Sequence, residues 1–425
     1  MKRPIRILAI CQEDPEWILG GMGRHIAELY RSMGAREDVA VDLLVNGPDE
    51  YPKNFHGCTK YYSDKLVCWK PTVPNISSIL ISDIQMIRTV CKLIAQGKRW
   101  DLVHCHEWNS VQTSRVVRDS LNIPMVGTMH LCISKLMQGV DLPEHMREKG
   151  TPNFSQEDIF LMQQEGHLIM DSNELILCSY SYEDVIREVF LTKRPINVIY
   201  NGIRPEDWKM DFISGESIRK KYNLPDRPIA LFVGRIADMK GIRPLLESIE
   251  MGDTGFCVVL CGEVNANTEH DKENWEVTKL IRKTVKKYPE RLQWVGFQKN
   301  KDLKAFYSIA QIGVMPSTHE PFGIVALEFM AMGVPVIATE IEGLGEIVVN
   351  GREEYAMIID THSSVQIYEA MKYLFNNPQA REELSQLGYK RLKDFDWDVA
   401  ADKTIQVYKK AIHQHKIVNM ERKAS

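Results

Sequence analysis

The sequence lacks any apolar run that approaches the ~20 residues needed to cross a bilayer. Its first residues, MKRPIRILAICQEDPEW, reach Gln12 and Glu13 after a short apolar stretch, which is typical of a first strand and not of a signal peptide. The nine cysteines are an odd number, scattered and without CxxC pairs, in a chain large enough not to need disulfides. We therefore expect reduced thiols and a cytoplasmic protein, with peripheral membrane contact left open.

An excess of charge of either sign is also absent. The formal net charge is −4, and lysine and arginine are spread along the chain, so we predict no nucleic-acid-binding surface. Apolar residues make up 44% of the sequence and charged residues 26%, which is typical of a globular protein. Single domains usually stop growing at ~250 to 300 residues. The 425 residues therefore predict two domains, and nothing in them indicates an oligomeric state.

Short apolar runs rich in β-branched residues alternate with helical stretches along the whole chain, which predicts parallel sheets covered by helices on both faces. The predicted strands of the first half are 5–11, 39–45, 101–105, 124–129, 174–179 and 196–200, and those of the second half are 228–234, 256–262, 291–297, 311–316 and 335–339. We therefore expect two doubly wound α/β domains that face a central cleft. Their predicted bounds are 1–204 and 205–396, followed by a helix and tail at 397–425, which could pack on either domain.

Each half begins with a strand that enters a glycine-containing turn before a helix. In the first half the turn is GGMG, with Gly21 at its centre, and its spacing is not GxGxxG, so a dinucleotide site is poorly supported. In the second half, GRIADMKG places Arg235 and Lys240 after a strand, where two cations suit a diphosphate. Glycine turns and helix N-termini also favour anions. A tight turn without a ligand, and ordinary surface cations, are the alternative interpretations.

The segment HEPFGIVALEFMAMGVPVIAT contains two glutamates around a Pro-Phe-Gly turn. We expect Glu320 at the N-terminal entrance of a helix and Glu328 about two turns along it. The helix is apolar on all sides and therefore predicted to be buried, where a carboxylate is costly without hydrogen bonds. We therefore expect Glu328 to bond hydroxyl groups of a ligand. The alternative is a structural carboxylate satisfied by the backbone or by an arginine.

Together these motifs resemble the signature of a known family. EPFGIVALE resembles the signature of retaining glycosyltransferases with the GT-B fold, of the family 4 type, which includes sucrose, trehalose and lipid glycosyltransferases. GRIADMKG is similar to the phosphate motif of that family, GGMGRHI to its first glycine loop, and VIYNGI to its interdomain strand. The resemblance covers nearly the whole chain in the right order. It implies a GT-B fold of two Rossmann-like domains, with the donor held by the second.

The resemblance implies a role for each matching residue. Glu328 would bond the ribose hydroxyls of a nucleotide, and Glu320 would bond the hydroxyls of the transferred sugar. Arg235 and Lys240 would bind the diphosphate, and His130, in GTMH, would lie beside the donor sugar. His130, Glu320, Arg235 and Lys240 are therefore the predicted catalytic residues. The other predicted donor contacts are Gly21 to the diphosphate and the backbone N–H groups of Phe322, Gly323 and Ile324 to the sugar.

The segment DLVHCHEW is similar to an HxHDW-like stretch that faces the acceptor in starch and glycogen synthases, which implies acceptor-side roles for His106 and Glu107. Glu107 replaces the expected Asp, a lysine before the first Gly-Gly is missing, and EPFG replaces EPCG, so the chain is closer to the broad family. Without the resemblance, His104, Cys105, His106 and Glu107 could be interpreted as metal ligands. Alternation on a strand points His104 and His106 to the same side. No third or fourth ligand stands at useful spacing, so we predict no metal site.

The resemblance implies transfer of a sugar, expected to be a hexose such as glucose, to a hydroxyl acceptor with retention at the anomeric carbon. The expected donor is a UDP-sugar, with ADP- and GDP-sugars as alternatives, and no cofactor or metal is required. The acceptor would be a saccharide, a lipid or a small molecule. Glucan elongation, as by starch and glycogen synthases, and sugar-nucleotide epimerisation are the alternative functions.

Overall fold

The described part of the structure, which is a computed structural model, covers residues 3–18, 20–47, 49, 51–64, 76–137, 155–208, 215–264 and 272–424. Two units separate along the chain. Unit 1 comprises residues 1–201 and 397–425, and unit 2 comprises residues 202–396. The first division follows Asn201 in the YNGI segment, and the second precedes Trp397.

Unit 1 contains an eight-stranded sheet in the order β3-β4-β2-β1-β5-β6-β7-β8, parallel except for the antiparallel β3–β4 hairpin. The six strands predicted for this half are confirmed. The sequence pattern does not predict the hairpin, because its strands are short and largely polar. The strands are β1 (Ile5–Cys11), β2 (Val39–Val45), β3 (Lys53–Phe55), β4 (Cys58–Tyr62), β5 (Leu102–His106), β6 (Met125–Met129), β7 (Glu174–Leu177) and β8 (Ile196–Val198).

Helices cover both faces of this sheet because each has an apolar face to bury. On α1, Ile26, Leu29, Tyr30 and Met33 recur at helical spacing and are all buried in one core. A second core forms on the opposite face, which gives the predicted layered α/β arrangement. The helices are α1 (Gly21–Gly34), α2 (Ile76–Ala95), α3 (Val111–Leu121), α4 (Ile133–Met137), α5 (Gln156–Asp171) and α6 (Tyr180–Phe190).

Unit 2 contains a six-stranded parallel sheet in the order β11-β10-β9-β12-β13-β16. All five strands predicted for this half are confirmed, and a separate short hairpin pairs β14 with β15. The strands are β9 (Ile229–Val233), β10 (Cys257–Cys261), β11 (Leu292–Gly296), β12 (Ala310–Met315), β13 (Val336–Thr339), β14 (Val349–Asn350), β15 (Glu353–Glu354) and β16 (Met357–Ile359).

The helices of unit 2 bury their apolar faces against this sheet, most clearly at α8, whose Leu245, Leu246 and Ile249 lie in the core with β9 and β10. The helices are α7 (Gly215–Lys221), α8 (Ile242–Met251), α9 (Lys272–Lys287), α10 (Asn300–Ile309), α11 (Ile324–Ala331), α12 (Glu342–Val348), α13 (Ser364–Asn376) and α14 (Pro378–Arg391). The two-sheet α/β fold class predicted from the sequence is therefore confirmed.

The terminal helix α15 (Trp397–Ala424) belongs to unit 1. Ala401, Ile405 and Tyr408 recur at helical spacing and are buried in the same core as α1. The chain therefore returns to its first unit after completing the second. Among the described helices, none combines the length and the apolar character needed to span a membrane.

Candidate active site

The strand order of unit 2 brings two predicted motifs to one place. Strand β9 lies between β10 and β12, so successive strands are added on one side of β9 up to β11 and on its other side from β12 onwards, and the strand order reverses between β9 and β12. In open parallel sheets, ligands bind outside the carboxyl ends of the strands at such a reversal. The motif GRIADMKG follows β9 and the motif HEPFG follows β12. The fold therefore places both motifs at the usual ligand-binding position of unit 2.

The side chains of Lys240 and Glu320 meet at this position. Lys240 Nζ lies 2.5 Å from Glu320 Oε2, and the two side chains are 18% and 16% exposed. The backbone joins the same two loops, because the Met239 carbonyl accepts hydrogen bonds from the N–H groups of Thr318 at 2.9 Å and His319 at 3.3 Å. Two predicted catalytic residues, 80 positions apart in the chain, therefore share one ion pair.

Gly241 explains why these loops approach so closely. Its φ of +69° lies in the left-handed region, which favours glycine. A Cβ added at Gly241 would lie 1.8 Å from the Pro316 carbonyl oxygen. No other residue type fits this position without moving the loop, so the last glycine of GRIADMKG sets the position of Lys240 beside the loop after β12.

Glu342 is a site residue that the sequence argument missed. Its carboxylate accepts from the Glu320 N–H at 2.8 Å and contacts His319 Nδ1 at 2.9 Å. Glu342 has a φ of +41°, which is uncommon for a residue other than glycine and is found mostly at special sites. Glu342 therefore fixes the backbone that carries Glu320. The position of Glu342 just after the carboxyl end of β13 is the one sequence feature that could have indicated a site residue.

The PFG turn forms the start of α11. Gly323 is the N-cap with a φ of +99°, and the helix begins at Ile324 after the buried Phe322. The first N–H groups of a helix have no partner within it, so the backbone at Gly323 and Ile324 suits an anion or a hydroxyl oxygen. Glu328 is the fifth residue of α11. It therefore lies a little over one turn from the helix start, and the expected two turns are wrong because residues 320–323 are not helical.

Glu328 is buried, as expected, with an exposed fraction of 4%. Its Oε2 accepts a hydrogen bond of 2.7 Å from the hydroxyl of Tyr307 on α10. If Glu328 is a structural carboxylate, its partner is therefore this tyrosine hydroxyl, whereas the sequence analysis expected the backbone or an arginine.

Arg235 lies in the loop after β9, is exposed, and contacts the Met239 thioether at 3.5 Å. The loop that carries Lys240 therefore also carries a second, exposed cation.

In unit 1, the first glycine turn leaves space where a ligand could bind. Among the described residues, no atom would lie within 4 Å of a Cβ added at Gly20 or Gly21. Packing therefore does not require glycine at these two positions. Gly23 is different, since a Cβ there would lie 2.5 Å from Glu13 Oε2. The helix α1 begins at Gly21 after the N-cap Gly20, which has no side chain to bond the first N–H groups of the helix.

Three histidines gather at the carboxyl end of the unit 1 sheet. His25 lies on α1, His106 ends β5 and His130 follows β6. Their ring centroids are 4.6 Å apart for His25 and His130, 5.5 Å for His25 and His106, and 5.7 Å for His106 and His130. His106 Nδ1 lies 3.4 Å from His130 Nε2. The sequence showed no third ligand beside His106, because His25 and His130 are distant in the chain.

His104 stands beside this group but bonds elsewhere. Its ring centroid is 3.9 Å from that of His106, which confirms the predicted common side of β5. Its Nδ1 contacts the Tyr408 hydroxyl at 2.6 Å, and its Nε2 contacts Thr128 Oγ1 at 2.7 Å. Both ring nitrogens of His104 are therefore engaged in the core of unit 1.

Burial keeps the three clustered histidines neutral. Removal from water lowers the pKa of His25 to about 4, against the opposing effect of its bond with Asn201. Burial likewise lowers the pKa of His106 and of His130 well below the usual range, and the neighbouring histidines lower both further. At neutral pH each ring therefore has one protonated nitrogen and one nitrogen with a lone pair.

Glu107 holds the backbone that carries His130. Its Oε2 accepts from the N–H groups of His130 at 2.9 Å and Leu131 at 3.0 Å, and its Oε1 accepts from Trp108. Burial and the charge of Glu165 raise the pKa of Glu107 to about 8. Both His106 and Glu107 are buried, and these contacts give Glu107 a positioning role. Their acceptor-side roles stay predictions.

Two family models match the chain across both units. The model for glycosyl transferases group 1 matches residues 214–391, and the model for glycosyltransferase family 4 matches residues 19–207. The chain is a family 4 type GT-B glycosyltransferase. The first match contains Lys240, Glu320 and Glu328, and the second contains Gly21 and His130. The resemblance found in the motifs is therefore confirmed over most of the chain.

Similar proteins give this glycosyltransferase its context. A glycogen synthase of Mycobacterium tuberculosis is 26% identical, over 95% of this chain and 94% of the relative. The solved structure of sucrose-phosphate synthase from Thermosynechococcus elongatus matches with a TM-score of 0.77 at 22% identity, over 96% of this chain and 100% of that chain. Anabaena Alr3699/HepE in complex with UDP-glucose matches with a TM-score of 0.71 at 15% identity, over 96% and 100% of the two chains. At these identities the two structures support the GT-B fold.

Proposed function

We propose that this glycosyltransferase transfers a hexose, with glucose as the first candidate, from a nucleotide diphosphate sugar to a hydroxyl acceptor, with retention and without a metal. The observation that supports this most is the meeting of Lys240 and Glu320 at the ligand-binding edge of unit 2. A cation for the diphosphate and a carboxylate for sugar hydroxyls stand side by side there. This pairing fits a donor that carries both groups.

The leaving group sets the electrostatic requirement of the reaction. When the glycosidic bond breaks, negative charge grows on the diphosphate and positive charge grows on the sugar ring. Arg235 and Lys240 would stabilise the diphosphate as fixed positive charges, and the backbone N–H groups of Phe322, Gly323 and Ile324 would hold the sugar. We also propose, as the family resemblance implies, that Gly21 contacts the diphosphate and that His130 lies beside the sugar. A divalent metal is then not needed for departure of the nucleotide.

Retention by a hydrolase-like route would require a carboxylate nucleophile and an acid about 5 Å apart. Glu320 is not suited to that role, since its Oε2 is paired with Lys240 and its N–H is held by Glu342. We infer a same-face reaction instead. The acceptor hydroxyl attacks the anomeric carbon as the C–O bond to the diphosphate breaks, and the departing phosphate oxygen takes the hydroxyl proton. The products are the glycoside and the free nucleoside diphosphate.

We propose a UDP-sugar as the donor, because the Anabaena structure of the same fold is in complex with UDP-glucose. Buried Glu328 would accept hydrogen bonds from the ribose hydroxyls, which restore bonds that its carboxylate loses on leaving water. ADP- and GDP-sugars have the same ribose and diphosphate. These donors therefore differ only in the base, and a screen of UDP-, ADP- and GDP-sugars is needed to identify which base the enzyme binds.

Nucleotide release is the direct test. We expect the chain, treated with a chelator, to release UDP from UDP-glucose much faster when a suitable hydroxyl acceptor is added, and to form a product with retained anomeric configuration by NMR. Release that never depends on an acceptor would favour an epimerase. Activity that disappears with the chelator and returns with Mg²⁺ would contradict metal independence.

Glucan elongation is a second candidate function, favoured by the glycogen synthase relative, which is 26% identical over 95% of this chain. The same assay separates it, because a glucan primer would then stimulate nucleotide release more than monosaccharide, lipid or sugar phosphate acceptors. The departures noted at Glu107, before Gly20 and at Phe322 favour another acceptor. We therefore rank glucan elongation second.

A further inference from the structure

We propose that His25, His106 and His130 form a binding site for one transition-metal ion of the zinc class, wholly within unit 1. This site is separate from the diphosphate chemistry proposed above. The inference goes beyond the proposed function and depends on the arrangement of three imidazoles. One ring nitrogen of each histidine lies within 4.8 Å of one ring nitrogen of both others.

The spacing of the rings is that of a metal site. Zn²⁺ binds histidine nitrogen at about 2.0–2.1 Å in tetrahedral geometry, which separates two ligating nitrogens by about 3.4 Å and two ring centroids by about 5 Å. The observed centroid distances are 4.6, 5.5 and 5.7 Å. His106 Nδ1 and His130 Nε2 are already 3.4 Å apart. One ring nitrogen from each of the three histidines lies within 4.8 Å of the other two, so binding one ion requires the rings to move closer together, and the His130 ring is partly exposed.

The nitrogen that His25 offers has no other use in the described structure. His25 is 7% exposed, and its Nε2 is buried without a hydrogen-bond partner. Its Nδ1 lies 2.6 Å from Asn201 Oδ1, which can only accept, so Nδ1 carries the proton and Nε2 carries the lone pair. Buried polar atoms are nearly always bonded, so an unpaired one requires an explanation, and we infer that a bound metal ion is the partner of His25 Nε2.

Neighbouring groups already orient the rings as they do around bound metals. Histidine ligands almost always bond a second polar group through their other ring nitrogen, which fixes the ring and its tautomer. Asn201 does this for His25. The Tyr30 hydroxyl does it for His106, whose Nε2 lies 2.6 Å away, and so leaves Nδ1 towards the cluster. Two of the three ligands are therefore held in place before an ion arrives.

The ligand set selects the class of ion. Three neutral imidazoles suit Zn²⁺, Co²⁺, Ni²⁺ or Cu²⁺, whereas Mg²⁺ and Ca²⁺ require oxygen ligands. Among the described residues, the group contains histidines alone. Three protein ligands leave the fourth tetrahedral position to water or to a ligand oxygen. If His130 also serves the donor sugar, as proposed above, an ion held there is expected to inhibit transfer.

Cobalt binding tests the site without donor, acceptor or turnover. The full-length chain, without a polyhistidine tag and stripped with a chelator, is titrated with Co²⁺ while the visible absorption of tetrahedral cobalt is followed. We expect one equivalent to bind and Zn²⁺ to displace it. His25→Ala and His130→Ala are each expected to weaken binding at least about tenfold. His415→Ala and Cys91→Ser serve as controls on surface metal ligands, and binding should not change in either.

Two outcomes would overturn the proposal. One is the absence of a tetrahedral cobalt spectrum up to about 1 mM Co²⁺, which corresponds to a binding free energy weaker than about −4.1 kcal/mol. The other is unchanged affinity in both histidine variants. If circular dichroism shows that His25→Ala does not fold, His130→Ala alone decides, because the His130 side chain is partly exposed. Failure here leaves nucleotide release unaffected, and failure of nucleotide release leaves cobalt binding unaffected.

Discussion

Replacing Lys240 with methionine removes one charge from the proposed donor site and keeps most of the side-chain volume. If Lys240 stabilises the departing diphosphate, Lys240→Met should lower kcat about 10²- to 10³-fold, as for loss of one preorganised group at a developing negative charge, or about 2.7–4 kcal/mol. The ion pair with Glu320 is mostly buried, with 18% and 16% exposure. Its loss should therefore also be visible in stability.

The stability cost is smaller than the loss of rate. A hydrogen bond between charged groups contributes about 1.5–3 kcal/mol. Each 1 kcal/mol shifts the Tm of a 150- to 250-residue domain by about 2–4 °C. Unit 2 spans residues 202–396, so Lys240→Met should lower its Tm by about 3–12 °C and still fold. Turnover is measured as acceptor-dependent nucleotide release at a temperature below the lowered Tm.

Lys221→Met is the matched control in the same unit. Lys221 Nζ lies 2.7 Å from Asp302 Oδ2, but the two side chains are 53% and 32% exposed. Such exposed pairs contribute at most about 1 kcal/mol. We expect unchanged turnover and a Tm within a few degrees of the wild type. Near-normal turnover in folded Lys240→Met would refute the assignment of Lys240 to the diphosphate.

Three further variants test other parts of the structure. Gly21→Ala should fold with unchanged or slightly raised stability, because a Cβ there meets no atom of the described residues within 4 Å. It should raise the KM for the donor about tenfold or more, about 1.4 kcal/mol, because the methyl group fills the proposed ligand space. Glu328→Gln should raise the donor KM more than it lowers kcat, since a ribose contact forms in ground and transition states alike. Asp83→Asn should reduce the loss of stability between pH 4 and pH 8 by up to about 4 kcal/mol, measured by urea unfolding. Burial raises the pKa of Asp83 to about 7 from 3.8, so the folded state holds a proton that the unfolded state releases, and wild-type stability falls as pH rises through that window.

The controls for these variants are available in the chain. Gly166→Ala, where the added Cβ likewise meets no atom of the described residues within 4 Å, should leave the donor KM unchanged. Tyr307→Phe removes the hydroxyl that bonds Glu328 and should cost about 1 kcal/mol of stability without a comparable rise in KM. Equal, purely structural effects of Glu328→Gln and Tyr307→Phe would favour the structural glutamate. The same pH dependence in Asp83→Asn and wild type would contradict the assigned ionisation of Asp83.

The two sheets could be predicted from the sequence because a short, continuous apolar run without polar alternation, bounded by turns, is typical of a buried parallel strand. All eleven predicted strands are present, from Ile5–Cys11 in β1 to Val336–Thr339 in β13. The strands that it missed are short, polar or at sheet edges, such as Lys53–Phe55 in β3. Their residues are set by pairing with a neighbour, and a local pattern does not show that pairing.

The site was only partly predictable. Lys240 and Glu320 belong to motifs at the carboxyl ends of two strands, so their meeting follows from the strand order. Glu342 and Tyr307 hold the two glutamates but belong to no motif. Their contacts depend on the packing of α10, α11 and α12, which residue spacing does not encode. Only the position of Glu342 after β13 offered a signal.

The histidine cluster shows the same limit more strongly. His25 lies 81 residues before His106, and His130 lies 24 residues after it. Standard zinc spacings place two ligands a few residues apart, so a search along the chain rejects this group. Here helix α1, the last residue of β5 and the residue that follows β6 supply one histidine each. The three histidines can therefore be recognised as a possible metal site only once the pairing of β5 with β6 is known.

The most direct test of the proposed function is a thermal unfolding screen of UDP-, ADP- and GDP-sugars with a chelator present. A donor at 100 times its Kd adds about 2.7 kcal/mol to the stability of the folded form. We predict that one nucleotide class, UDP-sugars first, raises the Tm of the wild type and has a much smaller effect on Glu328→Gln. The absence of a shift with every nucleotide sugar would contradict the proposal that this glycosyltransferase binds such a donor.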